Sequence, residues 1–250
     1  MLKEERYDKI LEILDEETYT FAESLAKRLY VSLPTIRRDL SELARRGLII
    51  RSHGGAKKIG EEHAVLPADY RMAQNRAGKR RICKRAAEEI KDGDVVFIDA
   101  STSASQISDY LSEKRSITVV TNSIPLAVLM KKKHIKCYCT GGEIQDNSLG
   151  YAGLLCEEMI RRFNIDIAIF SSYGVTDEGM IVDPSLEETS SRRVAISFSK
   201  KSIFLCDRSK LGLYAPYNLV SLCNVDYIIT DGTKSDFPPC GEISEKIIEV

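Results

Sequence analysis

A chain of 250 residues, 43% hydrophobic, with 36 Lys and Arg against 37 Asp and Glu, has enough material for two domains and no global charge that announces a nucleic-acid partner. No apolar run is long enough to span a bilayer, which excludes a helical membrane protein, and no targeting segment is expected. The seven cysteines contain no C-x-x-C pair, and Cys137 with Cys139 on one strand face is too few ligands for zinc, so reduced, mostly buried thiols of a cytoplasmic protein are expected, with no metal and no cofactor.

The first amphipathic helix carries Tyr7, Ile10, Leu11 and Leu14 on one side. A second, from Phe21 to Leu29, buries Leu25, Ala26 and Leu29, and Tyr30-Val31-Ser32 turns the chain into a third. There Ile36, Leu40 and Leu43 recur at i, i+4 and i+7 and form the buried stripe. Ser32 is a natural N-cap, Pro34 suits the first turn, where its missing N–H has no partner, and Gly47 suits the stop. At about 100° per residue, Pro34, Arg37, Arg38, Ser41 and Arg45 fall opposite the stripe. Alone, such a basic face is an ordinary solvated surface. Behind a bracing helix and a short turn, it has the layout of a helix-turn-helix. Leu48 to Ser52 then reads as a strand, Gly54-Gly55 as a tight reversal, and Arg51, His53, Lys57 and Lys58 as a basic wing.

Local charge agrees with this layout. Residues 24–58 hold nine Lys or Arg against Asp39 and Glu42, whereas the first 23 residues hold three against eight acids. A basic face opposite an acidic brace is the footprint of an oriented DNA-binding domain. The expected winged helix-turn-helix covers 1–57, with Ser32, Pro34, Thr35, Arg37, Arg38, Ser41, Arg45, Arg51, His53 and Lys57 at the DNA. Whether Arg37, Arg38 and Arg45 meet guanine edges or phosphates is left open by the sequence.

Residues 58–74, with Gly60, Glu61-Glu62 and Pro67, read as a linker entering a charged helix near Arg71. From 75 to 250 helices and continuous apolar strands alternate. Helix Arg76–Ile90 is followed by strand Val95–Ile98, a helix to Leu111, strand Ile117–Val120, helix Pro125–Lys132 and strand Ile135–Cys139. Helix Ala152–Phe163, strand Ile165–Phe170, helix Leu186–Phe198 and strand Ile203–Cys206 follow, and Tyr227–Thr230 closes the series. The pattern predicts a three-layer α/β domain around a mostly parallel sheet. Ligands of such sheets bind beyond the carboxyl ends of the strands. Five strand ends are polar: Asp99-Ala100-Ser101-Thr102-Ser103, Thr121-Asn122-Ser123, Thr140-Gly141-Gly142-Glu143, Ser171-Ser172-Tyr173-Gly174 and Asp207-Arg208-Ser209-Lys210. Single junctions of this kind are usually helix caps. Five on one edge, with Lys210 as counter-charge, favour an anionic polar ligand.

Residues 6–56 resemble the DNA-binding domain of the DeoR family of bacterial transcriptional regulators. The likeness rests on Arg6, Ile10, Leu25-Ala26, Val31-Ser32, Thr35-Ile36-Arg37-Arg38-Asp39-Leu40, Gly47 and Arg51-Ser52-His53-Gly54-Gly55-Ala56. The rest of the chain resembles that family too. The resemblance implies an effector domain with a fold like that of ribose-5-phosphate isomerases and CoA transferases, sensing phosphorylated sugars or related metabolites. It carries effector roles onto Asp99, Ser101, Thr102, Ser103, Asn122, Ser123, Gly141, Gly142, Asp207 and Lys210. The first loop departs from the family pattern, because Ala100–Ser103 contains no glycine and a Cβ at Ser101 narrows or re-aims the cradle. Tyr173 is also bulky for a loop of small residues.

Two functions follow as expectations. One is a repressor of a carbohydrate-utilisation operon, a homodimer or higher oligomer on double-stranded operator DNA, modulated by a sugar phosphate. The alternative is an isomerase-like enzyme with a DNA-binding appendage, in which Asp99, Asp207 and Lys210 take the acid–base parts.

Overall fold

The acidic brace is α1 (Lys3–Glu16), whose Tyr7, Ile10 and Leu14 are buried. A two-residue strand β1 (Thr20–Phe21), α2 (Ala22–Arg28) and α3 (Leu33–Arg45) follow, then the hairpin β2 (Ile49–Ser52) and β3 (Gly55–Lys58). These coordinates, a computed structural model, describe residues 2–17, 19–46, 48–52, 54–58, 68–145, 148, 150–239 and 241–250. Gly47, His53 and the segment with Gly60, Glu61, Glu62 and Pro67 lie outside the described residues. The chain divides into two units, Met1–Pro67 and Ala68–Val250, and each is taken by itself.

In the first unit, Leu25, Leu29, Ile36, Leu40, Leu43, Ile49 and Ala56 close one core with the α1 stripe. The turn from α2 to α3 is made by Tyr30, left-handed at φ 53°. α3 starts on Ser32, whose hydroxyl accepts from the Thr35 N–H at 3.3 Å, with Pro34 in the first turn. α1 is pinned to α3 by a buried ion pair: Arg6 Nε donates to Asp39 Oδ2 at 2.5 Å and Arg6 Nη2 to Oδ1 at 3.0 Å. That pair holds the Arg6 pKa above its ordinary value. The sheet order is β1-β3-β2, so the wing is stitched to the chain before α2 by a strand too short for periodicity to reveal.

The second unit runs α4 (Ala68–Ala73), α5 (Arg76–Glu88), β4 (Val95–Ile98), β5 (Thr118–Thr121), α6 (Ile124–Lys132), β6 (Lys136–Cys139), β7 (Glu143–Ile144), β8 (Tyr151–Ala152), α7 (Leu154–Ile160) and β9 (Ile165–Phe170). It continues β10 (Gly174–Val175), β11 (Met180–Asp183), α8 (Leu186–Ser197), β12 (Ser199–Cys206), β13 (Tyr217–Ser221), β14 (Tyr227–Thr230) and β15 (Ile247–Glu249). Seven strands form one sheet in the order β15-β14-β12-β9-β4-β5-β6, every pairing parallel. Strand alternation divides the core into layers. Val96 and Ile98 pack with Ile82 and Ala86 of α5 and Leu126 and Met130 of α6. Phe97 packs on the other face with Cys156 and Ile160 of α7 and Val194 and Ala195 of α8. The three-layer α/β architecture is the one expected from the sequence.

Several details differ from the sequence reading. Residues Ser105–Tyr110 form a 3-10 helix rather than an α-helix to Leu111, because the Ser101 and Ser105 hydroxyls take local backbone partners that compete with the helical ladder. Tyr227–Thr230 does not close the sheet, since β15 pairs with it in parallel. Tyr151 and Ala152 pair with β7 before α7 begins. β10, β11 and β13 make a separate antiparallel sheet, whose Val175, Ile181 and Leu219 pack on Phe170 and Phe204. Cys139 is exposed, against the expectation of mostly buried thiols, while Cys83, Cys156 and Cys206 are buried. Burial pushes the Cys83 thiol up to about 12 and Cys137 to about 11, which keeps both protonated and unreactive.

Candidate functional site

On the first unit, the residues predicted to face DNA occupy the outward side of α3. Ser32, Pro34, Arg37, Arg38, Ser41 and Arg45 are exposed and Thr35 is half-buried. Their freedom differs. The Arg45 Nε and Nη2 donate to Glu42 at 2.9 and 2.8 Å, and Arg46 Nε donates to the same carboxylate at 3.0 Å. Those bonds hold Glu42 down to about 2. Arg46, which lay outside the predicted set, also sits over the Tyr7 ring at 5.0 Å and so serves the brace. Arg51 of the wing donates to the Ser41 hydroxyl at 2.7 Å, and Ser41 to the Arg37 carbonyl at 2.7 Å. The wing is thereby tied to the middle of α3. Arg37 and Arg38 extend beside this tie, and no acidic partner holds either among the described residues.

In the second unit, the chain steps from β4 to β5 and β6 in one direction, then returns to β9 on the other side of β4 and continues to β12, β14 and β15. The point of reversal, between β4 and β9, is where open parallel sheets leave a crevice. Asp99 stands there. Its Oδ1 accepts from the Ser101 N–H (3.1 Å) and hydroxyl (2.5 Å), and its Oδ2 from the Ser171 N–H (3.3 Å) and Arg192 Nε (2.9 Å). With four donors, Asp99 braces the crevice and has no lone pair to spare for a proton on carbon. The Ser101 hydroxyl also accepts from the Ala104 N–H at 3.2 Å, so this side chain is consumed in its own turn.

Arg192 of α8 was not legible from the sequence. Its remaining nitrogens donate to Asp183 of β11 and Glu188 of α8, both at 2.7 Å, and it is buried with Asp99 and Asp183. Burial works against the guanidinium's charge, but Asp183, Glu188 and Asp99 together raise its pKa. Burial pushes Asp183 up, whereas Arg192 with other donors holds Glu188 down against burial.

A second group gathers after β12. Asp207 accepts from the Ser209 N–H and hydroxyl, Lys210 Nζ donates to the Ser172 carbonyl at 2.5 Å and stands 4.0 Å from Asp207. Beside them lies Lys79 of α5, only 4% exposed, another residue absent from the predicted set. Its ammonium donates to the Arg71 carbonyl of α4. Burial pushes its pKa down to about 8, with Asp207 opposing and Lys210 and Arg71 adding to the effect. Burial also lowers Arg71, with Glu188, Asp183 and Asp99 opposing.

The other predicted residues divide by role. Ser123 caps α6, its hydroxyl accepting from the Leu126 N–H at 3.3 Å. Gly142, at φ 120°, allows the β7–β8 hairpin to return, since a Cβ there would stand 2.6 Å from the Ala152 carbonyl oxygen. Gly141 and Gly142 follow the edge strand β6, four strand spacings or about 19 Å from the β12 end, at the rim away from Lys210. Thr102, Ser103 and Asn122 are buried near the reversal. The Cβ of Ala100, next to Ser101 in the first loop, is met by Gly150, whose own Cβ would fall 2.4 Å from it. Among the described residues, no group of His, Cys, Asp and Glu could hold a metal ion, and no helix is long and apolar enough to cross a membrane.

A winged helix-turn-helix joined to a parallel-sheet domain with a polar crevice at its topological reversal defines a ligand-responsive DNA-binding regulator. The pattern of the DeoR-like helix-turn-helix domain matches residues 6–62, and that of the DeoR C terminal sensor domain residues 74–232. The chain belongs to the DeoR family of transcriptional regulators. It is 34% identical to the HTH-type transcriptional regulator GlpR of Haloferax volcanii over 93% of this chain and 91% of that protein. It is 32% identical to the glycerol-3-phosphate regulon repressor of Escherichia coli over 92% of each. Among solved structures, a ribose-5-phosphate isomerase in complex with phospho-erythronic acid is similar at 16% identity and a TM-score of 0.41, covering 53% of this chain and 52% of that one, a likeness too loose to bear on activity. The relatives are named as regulators and repressors, and the chain is a regulator, not an enzyme.

Proposed function

We propose that the protein represses a carbohydrate-utilisation operon from the cytoplasm and that a phosphorylated sugar or related metabolite changes its operator affinity. In this reading α3 enters the major groove, with Arg37 and Arg38 as principal contacts, Ser32, Pro34, Thr35 and Ser41 around them, and Arg45, Arg51, His53 and Lys57 toward the backbone. A homodimer or higher oligomer aligns such faces on operator half-sites. The effector lies at the crevice, braced by Asp99, Ser101, Ser123 and Asp207, shaped at its rim by Gly141 and Gly142, and met by Thr102, Ser103, Asn122, Lys79 and Lys210.

Lys79 carries the anionic part of the reading. A buried ammonium is costly unless paired, and this one donates only to a neutral carbonyl, with no carboxylate within ion-pair distance among the described residues. An incoming phosphate supplies the missing acceptors. Names of relatives, among them a glycerol-3-phosphate regulon repressor and a lactose phosphotransferase system repressor, support the same ligand class.

A thermal-shift panel of sugar phosphates, their unphosphorylated parents and inorganic phosphate tests it, since a ligand of the folded state raises Tm by mass action. A rise with a phosphate ester that is lost in Lys79→Met is the expected result. A rise of the same size in Lys79→Met refutes the assignment.

A further inference from the structure

Asn122 follows β5, one strand from the β4 loop that carries Ser103. Its backbone and side chain suspend the β7–β8 hairpin. The Tyr151 N–H donates to the Asn122 carbonyl at 2.8 Å, and the Asn122 Nδ2 donates to the Tyr151 carbonyl at 2.8 Å. The second bond fixes which way the amide faces, because only the nitrogen can donate to a carbonyl. Oδ1 is left as a pure acceptor. It is buried and has no hydrogen-bond partner among the described residues, although buried acceptors are nearly always satisfied. Gly150 packs closely beside it, since a Cβ there would stand 2.4 Å from the Ala100 Cβ and 3.3 Å from the Asn122 carbonyl oxygen and the Ser148 hydroxyl.

The neighbouring β4 loop, with α5 packed beside it, has the opposite character. Cys83 on α5 donates to the Ser103 carbonyl at 2.8 Å. Lys79 is one turn earlier on the same helix, about 6 Å away by helical geometry. The Ser103 hydroxyl is buried and unpartnered and, as a donor, it suits the same anion as Lys79. An acceptor with no proton cannot face a phosphate oxygen without repulsion, whereas it can receive a hydroxyl proton. One side therefore takes negative charge and the other takes a hydroxyl donor.

We propose that Asn122 reads a hydroxyl of the effector and so sets its orientation, with the phosphate toward Lys79 and Ser103 and a hydroxylated carbon toward Asn122. The inference rests on the anion reading above and adds that the site discriminates between hydroxylated and hydroxyl-free phosphate esters. Leaving a buried polar group unmet when the ligand lacks its hydroxyl costs binding.

The test is calorimetric titration of the full chain with two pairs, glycerol 3-phosphate against n-propyl phosphate and ribose 5-phosphate against 2-deoxyribose 5-phosphate. In the wild type, the hydroxylated member of at least one pair binds about tenfold or more tightly. In Asn122→Ala that preference vanishes, whereas Ser103→Ala weakens both members and keeps it. If Asn122→Ala does not fold, the wild-type pairs decide alone. Equal binding within both pairs, or a preference that survives Asn122→Ala, overturns the proposal while the anion reading stands. If no ester binds the wild type, the anion reading falls and takes this proposal with it.

Discussion

Replacing Arg192 by leucine removes the guanidinium that bonds three carboxylates at once. Arg192 bonds Asp99, Asp183 and Glu188 at 2.9, 2.7 and 2.7 Å, and its own side chain is only 6% exposed. Breaking a buried pair by removing one partner costs about 3–5 kcal/mol. Asp99 keeps three other donors, so the strain falls mainly on Asp183 and Glu188, and a loss near 4 kcal/mol, on the order of 8–16 °C in Tm for a unit of this size, is expected. The pH dependence identifies the cause. In the wild type Glu188 sits below its ordinary pKa, so its contribution is present near neutrality and lost as pH falls through that lowered value. Asp183 sits above its ordinary pKa and works the other way. Without Arg192 both rise, and a carboxyl with a raised pKa destabilises the fold while ionised and relaxes on taking up a proton. The deficit of Arg192→Leu is therefore largest at about pH 7–8 and shrinks toward about pH 5. Differential scanning calorimetry of both proteins across that range measures it. A loss under about 1 kcal/mol, or a deficit that grows with acid, refutes the view of Arg192 as the shared counter-ion.

Three further outcomes are expected. Asp39→Ala strands the mostly buried Arg6 and destabilises the first unit by about 3 kcal/mol, while the double variant Arg6→Met, Asp39→Leu recovers most of it; thermal melts of the four corners of this cycle check the coupling. Arg38→Ala weakens operator binding by about 1–3 kcal/mol if it pairs with a base, and Arg45→Ala, already held by Glu42, by less; gel-shift titrations at fixed salt rank the two. Lys79, with its pKa pushed down to about 8 by burial, loses its charge as pH rises through that value, so calorimetric affinity for a phosphate ester should fall between about pH 7 and 9. A flat profile would argue against contact with Lys79.

The elements with long apolar periods were legible because burial acts on the same residues that set the period. Leu33–Arg45 and the central strands Val95–Ile98 and Ile165–Phe170 needed nothing else. Thr20–Phe21, Gly174–Val175 and Ile247–Glu249 were not legible: two or three residues show no alternation, and their pairing is decided by partners distant in the chain. The crevice divides the same way. Asp99, Asn122 and Asp207 stand at strand ends, which the alternation of elements marks. Arg192, Glu188 and Lys79 sit on helices whose sequences look like solvated faces. Only the packing of α8 and α5 on the sheet turns those faces inward.

The two surfaces of the protein differ in how they can diverge. On α3, folding uses Ile36, Asp39, Leu40 and Leu43, while the outward residues 34, 37, 38, 41 and 45 make only exposed contacts. Exchange of those five residues is close to free for the fold, so operator choice can drift, or be retargeted in the laboratory, without destabilising the unit. In the sensor the same carboxylates that border the crevice also anchor Arg192. A change of effector there is a change of core, and new sensing specificities demand compensating substitutions that new operators do not.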